Sequence, residues 1–306
     1  MSKAVRYDSF GPIENLYIAD VELPQPAAGE VQIQVKAAGI NPGEAAIRKG
    51  FMNDVSPSTF PSGQGSDFAG VVTSLGDGVT SVSVGDEVLG WNFTRSSQAE
   101  LTNVPADQLV AKPAGLSWEQ AGALYVVGAT AFAAVRAVDV QSGDTVVVSA
   151  AAGGVGGVTV QLAKLRGAEV IGIASESNHD WLRSKGITPV AYGDGLADRI
   201  RELAPNGVDA FIDTFGPEYV HLAVELGVAK DRIDTIIAFQ AAEELEVKAE
   251  GSSEATTQEV LAEMADHVAS GRIELPIAQT FPLDQVQAAF TELEQRHTRG
   301  KIVLIP

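Results

Sequence analysis

The chain has 306 residues, 45% of them hydrophobic and 20% charged, which is the composition of a folded globular protein of about two domains and excludes disordered or collagen-like chains. Its 40 acidic and 21 basic side chains give a net charge of −19, which disfavours nucleic acid and membrane surfaces as partners. No apolar run is long enough to span a membrane and no leader pattern is present, so we expect a cytoplasmic protein.

Residues 1–112 contain short β-rich runs separated by turns. The runs are AVRYD, LYIADVEL, EVQIQVKAAGI, FAGVVTSLG, DEVLGW and QLVAKP. Turn residues at 76–78 and 84–86 stand where hairpin or bulge connections are needed. The pattern predicts an antiparallel, barrel-like unit.

The sequence pattern changes after residue 113, from short β-rich runs to alternating helices and strands. Ser117 is suited to cap a helix, with Gln120 three residues later and apolar residues following at helical spacing. Apolar strands then alternate with helices of about 10 residues, from TVVVSAA to DTIIAF, which predicts a parallel sheet covered on both faces. The segment after residue 251 adds two amphipathic helices and two strands. We therefore expect domains at 1–113, 114–251 and 252–306, the last returning to the first.

A candidate dinucleotide-binding turn lies directly after the apolar run TVVVS. The sequence AAGGVG at 151–156 puts Ala151, Gly153 and Gly156 at the key positions, with Gly154 and Val155 between them, and a helix-like segment follows. Gly153 would let the backbone approach a pyrophosphate, and Gly156 would let the helix pack closely. A strand before the glycines and a helix after them make the pattern specific for an NAD or NADP site.

The choice of cofactor depends on the end of the second strand of such a unit, where NAD enzymes place a carboxylate. Ser175 stands there, and a neutral hydroxyl does not repel a 2′-phosphate. Ser177, Asn178, His179 and Arg183 follow as possible donors. These residues favour NADPH, whereas Glu176 could instead bring a carboxylate to the ribose.

Several motifs in order resemble the zinc-free quinone oxidoreductase group of the medium-chain dehydrogenase/reductase superfamily. They are AAGINPGEAAIRKG, GSDFAGVV, VGDEVLG, SQAE, VVGATA, SAAAGGVGG, GVDAFIDTFG and GKIVLIP. The resemblance runs end to end. It implies an α/β protein in which a GroES-like β-barrel catalytic domain accompanies a doubly wound Rossmann domain, with the active site in the cleft.

The resemblance also implies that zinc is absent. Zinc members place a Cys ligand in the loop equivalent to 40–44 and Gly-His-Glu at 65–67, whereas this chain reads Ile-Asn-Pro-Gly-Glu and Gly-Ser-Asp. There is no cysteine in the chain, and its four histidines lack metal-ligand spacing. No metal is therefore expected.

Further site residues follow from the same resemblance. Asn41 is the candidate catalytic group, an amide that could donate to the substrate carbonyl, although it could equally shape the turn before Pro42. Phe51, Trp91 and Phe93 are expected to line an apolar substrate site. The expected cofactor contacts outside the glycine turn are Thr130, Ser175, Ser177, Asn178, Tyr192, Phe215, Gly216, Ile237, Ala238 and Phe239.

The sequence thus predicts an NADPH-dependent reductase of quinones or α,β-unsaturated carbonyls that transfers hydride directly. An enoyl thioester reductase is one alternative. A non-catalytic NADPH-binding redox sensor is another, since Ala46 and Met52 stand where many quinone reductases carry tyrosines. The resemblance further implies a homodimer formed by edge strands, with EELEVKAEG at 243–251 as the expected edge strand.

Overall fold

The computed structural model describes all 306 residues and divides into two compact units. The first unit comprises Met1–Val126 and Thr257–Pro306, and the second comprises Val127–Thr256. The domain boundaries expected from the sequence lie after residues 113 and 251, earlier in the chain than the divisions between these two units, and they stay predictions. No helix combines the length and the apolar character needed to cross a membrane.

The first segment of the first unit is mainly β-structure. Its strands are β1 (Ser2–Tyr7), β2 (Tyr17–Val21), β3 (Glu30–Gly39), β4 (Ser62–Gly63), β5 (Asp67–Leu75), β6 (Glu87–Trp91), β7 (Leu101–Pro105) and β8 (Leu109–Ala111). Its helices are α1 (Pro42–Arg48) and α2 (Trp118–Gly122). All pairings among these strands are antiparallel, as the alternating sequence predicts.

The second unit alternates strands with helices. Its strands are β9 (Thr145–Val148), β10 (Glu169–Ile173), β11 (Thr188–Val190), β12 (Ala210–Asp213) and β13 (Ile233–Thr235). Its helices are α3 (Leu124–Ala137), whose first three residues belong to the first unit, α4 (Gly154–Leu165), α5 (His179–Ser184), α6 (Leu196–Leu203), α7 (Pro217–Glu225) and α8 (Phe239–Leu245). The five strands form a parallel sheet in the order β11-β10-β9-β12-β13, which is the predicted Rossmann arrangement.

The return segment completes the first unit. It contains α9 (Gln258–Ala269), β14 (Ile277–Pro282), α10 (Val286–Glu294) and β15 (Lys301–Ile305). β15 pairs antiparallel with β3, so the seven-stranded sheet runs β14-β15-β3-β5-β6-β8 with β7 beside β3. This pairing brings Lys301, at the start of the last strand, into the same unit as the loop after β3. The predicted α/β class with a GroES-like β-domain and a Rossmann sheet is confirmed.

Two elements differ from their predictions. The helix expected after Ser117 is split, because Ala123 leaves helical geometry between α2 and α3. The prediction of an edge strand at 243–251 is wrong. The chain is helical through Leu245, and the rest of the segment contributes one isolated β-bridge, between Lys248 and Asp234. The reason is that Ala241 and Ala242 bury one face of a helix, which a period of two residues would not allow.

Candidate active site

The glycine turn lies between β9, the central strand of the parallel sheet, and α4. Gly153 is the extended N-cap residue of α4, and its amide donates to the Ala150 carbonyl at 2.8 Å. The Ala151 amide donates to the Ile173 carbonyl of the neighbouring strand at 2.9 Å. The first amides of α4 have no carbonyl in a preceding turn, so they are available to an anion. The predicted residues Ala151 to Gly156 thus lie together at the carboxyl edge of the sheet.

The two key glycines of this turn have different surroundings. A Cβ added to Gly156 would lie 2.3 Å from the Ala150 carbonyl oxygen and 2.8 Å from its carbon, so α4 packs against the turn through this glycine. A Cβ added to Gly153 would meet only that oxygen, at 3.2 Å. Gly153 is therefore much less enclosed than Gly156, with one tight backbone neighbour. The close packing of α4 therefore requires a glycine at position 156, and packing alone does not require one at position 153.

A cluster of neutral polar side chains follows β10. Ser175 Oγ accepts from Asn178 Nδ2 at 2.9 Å and lies 3.0 Å from Ser177 Oγ. Arg183, one of the possible donors, pairs with Asp180 at 2.9 Å, and both side chains are exposed. The end of β10 therefore presents hydroxyl and amide groups, and Arg183 is already paired within α5.

The other predicted cofactor residues fall into two groups. Phe215, Gly216, Ile237 and Ala238 follow β12 and β13 at the carboxyl edge of the same sheet, and Phe239 begins α8 instead of ending a strand. Tyr192 follows β11 and is exposed, whereas Thr130 is buried within α3. The parallel topology thus gathers the first group and Tyr192 at one edge with the glycine turn.

A buried carboxylate that was not among the predicted site residues lies at this edge, that of Asp213, the last residue of β12. Its Oδ1 accepts from Ser149 Oγ at 2.7 Å and from the amides of Phe215 and Gly216 at 2.9 and 3.1 Å. Its Oδ2 accepts from Thr235 Oγ1 at 2.7 Å. Burial raises the pKa of Asp213, and the two hydroxyls and two amides oppose that shift. No motif predicts these contacts, because the donors come from three different strand ends.

Asp234 on the adjacent strand β13 is equally buried but has few partners. Its Oδ1 accepts from the Glu250 amide at 2.8 Å, and its Oδ2 has no hydrogen-bond partner. Burial raises the pKa of Asp234 from 3.8 to about 7, which the single amide opposes. An ionised Asp234 therefore costs the folded state stability.

This burial predicts a pH dependence of stability. Between pH 3.8 and about 7 the unfolded chain gives up the Asp234 proton while the folded chain holds it, so the free energy of unfolding falls as pH rises through that window. Asp234→Asn lacks this titration. We expect urea unfolding to show the variant more stable than wild type by about 2 kcal/mol at about pH 8, since an unpaired amide offsets part of the gain. Parallel pH profiles for the two proteins would contradict the assignment.

In the first unit, Asn41 is buried and caps α1. Its Nδ2 donates to Glu44 Oε1 at 3.2 Å and to Asp67 Oδ2 at 3.0 Å, while its Oδ1 accepts from Lys301 Nζ at 2.5 Å. Lys301 Nζ also donates to the Ile40 carbonyl at 2.8 Å. Both amide hydrogens of Asn41 are therefore already donated to carboxylates. The expected donation to a substrate stays a prediction, and the geometry agrees with the alternative, an asparagine that shapes the turn before α1.

The two carboxylates of this cluster, Glu44 and Asp67, each accept several hydrogen bonds from protein donors. Glu44 accepts from the Asn41 and Ser66 amides at 3.1 and 3.0 Å and from Gln98 Nε2 at 2.9 Å. Asp67 accepts from the Val126 amide at 2.7 Å and lies 3.7 Å from Lys301 Nζ. Burial raises the pKa of Glu44 to about 7, assisted by the Asp67 charge, and burial raises the pKa of Asp67 and lowers that of Lys301.

This cluster does not fit a zinc ion. Asn41 lies in the first loop where zinc members hold ligands, and Asp67 lies in the second. Their oxygens accept from protein donors, among them the buried Lys301 ammonium. A divalent cation beside that ammonium would be repelled, and the cluster offers no His or Cys.

The aromatic residues predicted to bind substrate differ in exposure. Trp91 is 4% exposed and stacks on Tyr125 with ring centroids 5.3 Å apart, while Phe93 meets its edge at 6.3 Å and is 63% exposed. Phe51, after α1, is 81% exposed. Trp91 and Phe93 form one cluster, and no ring contact joins Phe51 to them.

Known proteins share this architecture over the whole chain. The alcohol dehydrogenase GroES-like domain matches residues 27–114, and the zinc-binding dehydrogenase domain matches residues 185–304. A quinone oxidoreductase of Pseudomonas aeruginosa is 31% identical across 100% of both chains.

Solved structures agree with the sequence relatives. The Escherichia coli quinone oxidoreductase complexed with NADPH superposes with a TM-score of 0.88 at 26% identity, over 99% of this chain and 100% of that one. The CurK enoyl reductase superposes with a TM-score of 0.86 at 26% identity, over 99% of each chain. The chain therefore belongs to the quinone oxidoreductase family of the medium-chain dehydrogenases/reductases and is an oxidoreductase of that type.

Proposed function

We propose that the protein is an NADPH-dependent reductase of quinones or α,β-unsaturated carbonyls that works by direct hydride transfer without zinc. The observation that carries the proposal is the glycine turn between β9 and α4. At its extended N-cap, Gly153, an added Cβ would meet a single atom, the Ala150 carbonyl oxygen, and the helix N-terminus beside it suits a pyrophosphate. The E. coli relative complexed with NADPH supports the same cofactor here.

The buried cluster around Lys301 supports chemistry without a metal. An alcohol needs a Lewis acid to stabilise its alkoxide, and the donor set of Asn41, Glu44 and Asp67 does not suit zinc. When bound, the nicotinamide supplies a hydride, and an electron-poor acceptor needs mainly proximity and a proton from water. Quinones and conjugated carbonyls are such acceptors.

The aromatic cluster supports a planar, apolar acceptor. Trp91 is fixed by stacking on Tyr125, and Phe93 presents its ring to solvent beside it. We propose that Phe93, with Phe51 as a second exposed ring, contacts the acceptor while Trp91 orients Phe93.

The test is consumption of NADPH, and of NADH in parallel, by the purified protein. Acceptors are benzoquinone, a naphthoquinone, a phenanthrenequinone and a conjugated enal, with a saturated aldehyde as the control. Turnover of a quinone or of the enal, with the saturated aldehyde unreduced, is the expected result. Saturable binding of NADPH with no turnover of any acceptor would instead favour the redox-sensor alternative.

The cofactor preference is tested at Ser175. Ser175→Asp puts a carboxylate beside the hydroxyl cluster that we propose to face the 2′-phosphate, so we expect kcat/KM for NADPH to fall by about tenfold or more relative to NADH. Ser142→Asp is the matched control, because Ser142 is exposed and precedes β9 at the opposite edge of the sheet. An unchanged ratio in Ser175→Asp would place the 2′-phosphate elsewhere.

A second candidate function is enoyl thioester reduction, which the similarity to the CurK enoyl reductase favours. The two functions differ in the acceptor that the protein prefers. Adding crotonyl thioesters of coenzyme A and of N-acetylcysteamine to the panel separates them, since a quinone reductase should rank both far below its best quinone.

We also propose that the protein is a homodimer in the cytoplasm. The support for this proposal is the resemblance to the quinone oxidoreductase family. The edge strand expected at 243–251 is not formed, and the two outer strands of the parallel sheet, β11 and β13, have three residues each. Light scattering of the eluting protein would distinguish the 31.9 kDa monomer from a particle of twice that mass.

A further inference from the structure

The Asp213 carboxylate is the point where three loops at the carboxyl edge of the parallel sheet converge. It accepts directly from the amides of Phe215 and Gly216 after β12. It also accepts from the hydroxyls of Ser149, after β9, and Thr235, at the end of β13. Its side chain has no exposure to solvent, and all four of these partners are donors.

The oxygen of each hydroxyl also accepts hydrogen bonds from backbone amides of the loops. Because Ser149 gives its hydrogen to Asp213, its oxygen is left to accept from the Thr214 amide at 2.7 Å. Because Thr235 does the same, its oxygen accepts from the amides of Ile237 and Ala238 at 3.3 and 3.0 Å. A carboxylate can only accept, so Asp213 sets the direction in which the Ser149 and Thr235 hydroxyls point their hydrogens and leaves both hydroxyl oxygens free to accept from the loop amides.

The network also reaches the glycine turn. Thr214 Oγ1 donates to the Ser149 carbonyl at 2.7 Å, and it lies 3.0 Å from where a Cβ of Gly156 would stand. The loops after β9, β12 and β13 are therefore fixed through one buried group. They hold the glycine turn and the Phe215, Gly216, Ile237 and Ala238 positions that the proposed function assigns to the cofactor.

We propose that Asp213 is a positioning residue for the nicotinamide cofactor, whose acceptor-only side chain holds the backbone of 214–216 and 237–238 in the conformation that the cofactor binds. The inference rests on the proposed NADPH-dependent function. It assigns Asp213 a role in affinity and none in the transfer of hydride, since the side chain is enclosed by its donors.

The experiment compares Asp213→Asn with Asp234→Asn. Asp234 is the matched control: it is as buried, lies on the next strand, and binds only the Glu250 amide, outside the proposed cofactor loops. In Asp213→Asn an NH2 group must face a donor, so we expect the Kd and KM for NADPH to rise about tenfold or more and kcat to change by less than about threefold. We expect Asp234→Asn to leave the Kd for NADPH unchanged.

Thr235 provides a second pair of variants in case Asp213→Asn does not fold. Thr235→Val removes the hydroxyl and should weaken NADPH binding, whereas Thr235→Ser keeps it and should restore the affinity. Hydrogen exchange without cofactor supplies a readout besides activity: amides at 214–216 and 237–238 should exchange faster in Asp213→Asn and Thr235→Val, with those of β10 unchanged.

Two outcomes would overturn the inference while leaving the proposed function intact. One is wild-type affinity for NADPH in Asp213→Asn and Thr235→Val. The other is a fall in kcat at unchanged KM. A wild-type protein that binds no NADPH would instead contradict the proposed function itself.

Discussion

Replacing Lys301 by methionine is expected to lower the free energy of unfolding by about 3–5 kcal/mol, because it leaves buried carboxylates without their cation. Lys301 Nζ lies 3.7 Å from Asp67 and donates to the Asn41 side chain and the Ile40 carbonyl. Methionine fills a similar volume but donates nothing. The change therefore also removes the hydrogen bonds of two buried oxygens.

The pH dependence of this loss identifies its cause. Protonation of Glu44 and Asp67 at low pH removes the uncompensated charge, so the deficit of Lys301→Met in urea unfolding should shrink as pH falls from about 8 to about 5. Adding Asp67→Asn should recover part of the stability, as a double-mutant cycle would show. Lys3→Met, at an exposed position, serves as the control and should cost less than about 0.5 kcal/mol. A deficit that is independent of pH would point to packing instead of charge.

Local sequence pattern predicts most elements of this fold and fails where geometry depends on more distant contacts. Ser117 and Gln120 form the capping box that their spacing predicts. The helix that they start ends at Gly122, before Ala123 leaves helical geometry. Gly122 packs against the Ala37 backbone, and a Cβ there would lie 2.4 Å from the Ala37 carbonyl oxygen. That contact is between residues far apart in sequence, and no periodicity encodes it.

The segment at 243–251 shows a different failure. Its alternation of acidic and apolar residues suits a strand, but Ala241 and Ala242 precede it and carry a helix into it. Glu246, in the left-handed conformation, then ends that helix. The strand was expected from the family resemblance, and the residues of this chain favour the helix.

The candidate site likewise contains some features that local sequence predicts and others that depend on contacts between distant residues. Glycine spacing after a strand predicts the turn at 151–156, because a strand, a turn and a helix N-terminus are local features. Asp213 and Lys301 lie within the family motifs GVDAFIDTFG and GKIVLIP, but no local pattern assigns either of them a role. Each becomes important only when strands distant in sequence are brought side by side, β12 between β9 and β13 in one unit and β15 beside β3 in the other.

The glycine turn supports the second large prediction, a separation of folding from cofactor binding. Gly156→Ala should destabilise the protein by about 1–3 kcal/mol, since its methyl group would lie 2.3 Å from a backbone oxygen and force α4 away from the turn. Gly153→Ala should cost less, about 1 kcal/mol at most, because its φ of −72° suits any residue and its Cβ would meet a single atom, the Ala150 carbonyl oxygen, at 3.2 Å.

NADPH binding should nevertheless fall about tenfold or more in Gly153→Ala, because the methyl group would occupy the space in which we propose that the pyrophosphate approaches the helix N-terminus. Urea unfolding and NADPH fluorescence titration measure the two properties independently. If Gly153→Ala bound NADPH as wild type does, the pyrophosphate would not lie against this turn. If Gly156→Ala kept full stability, α4 would tolerate the shift, and the close approach of Gly156 to Ala150 would not be what requires a glycine there.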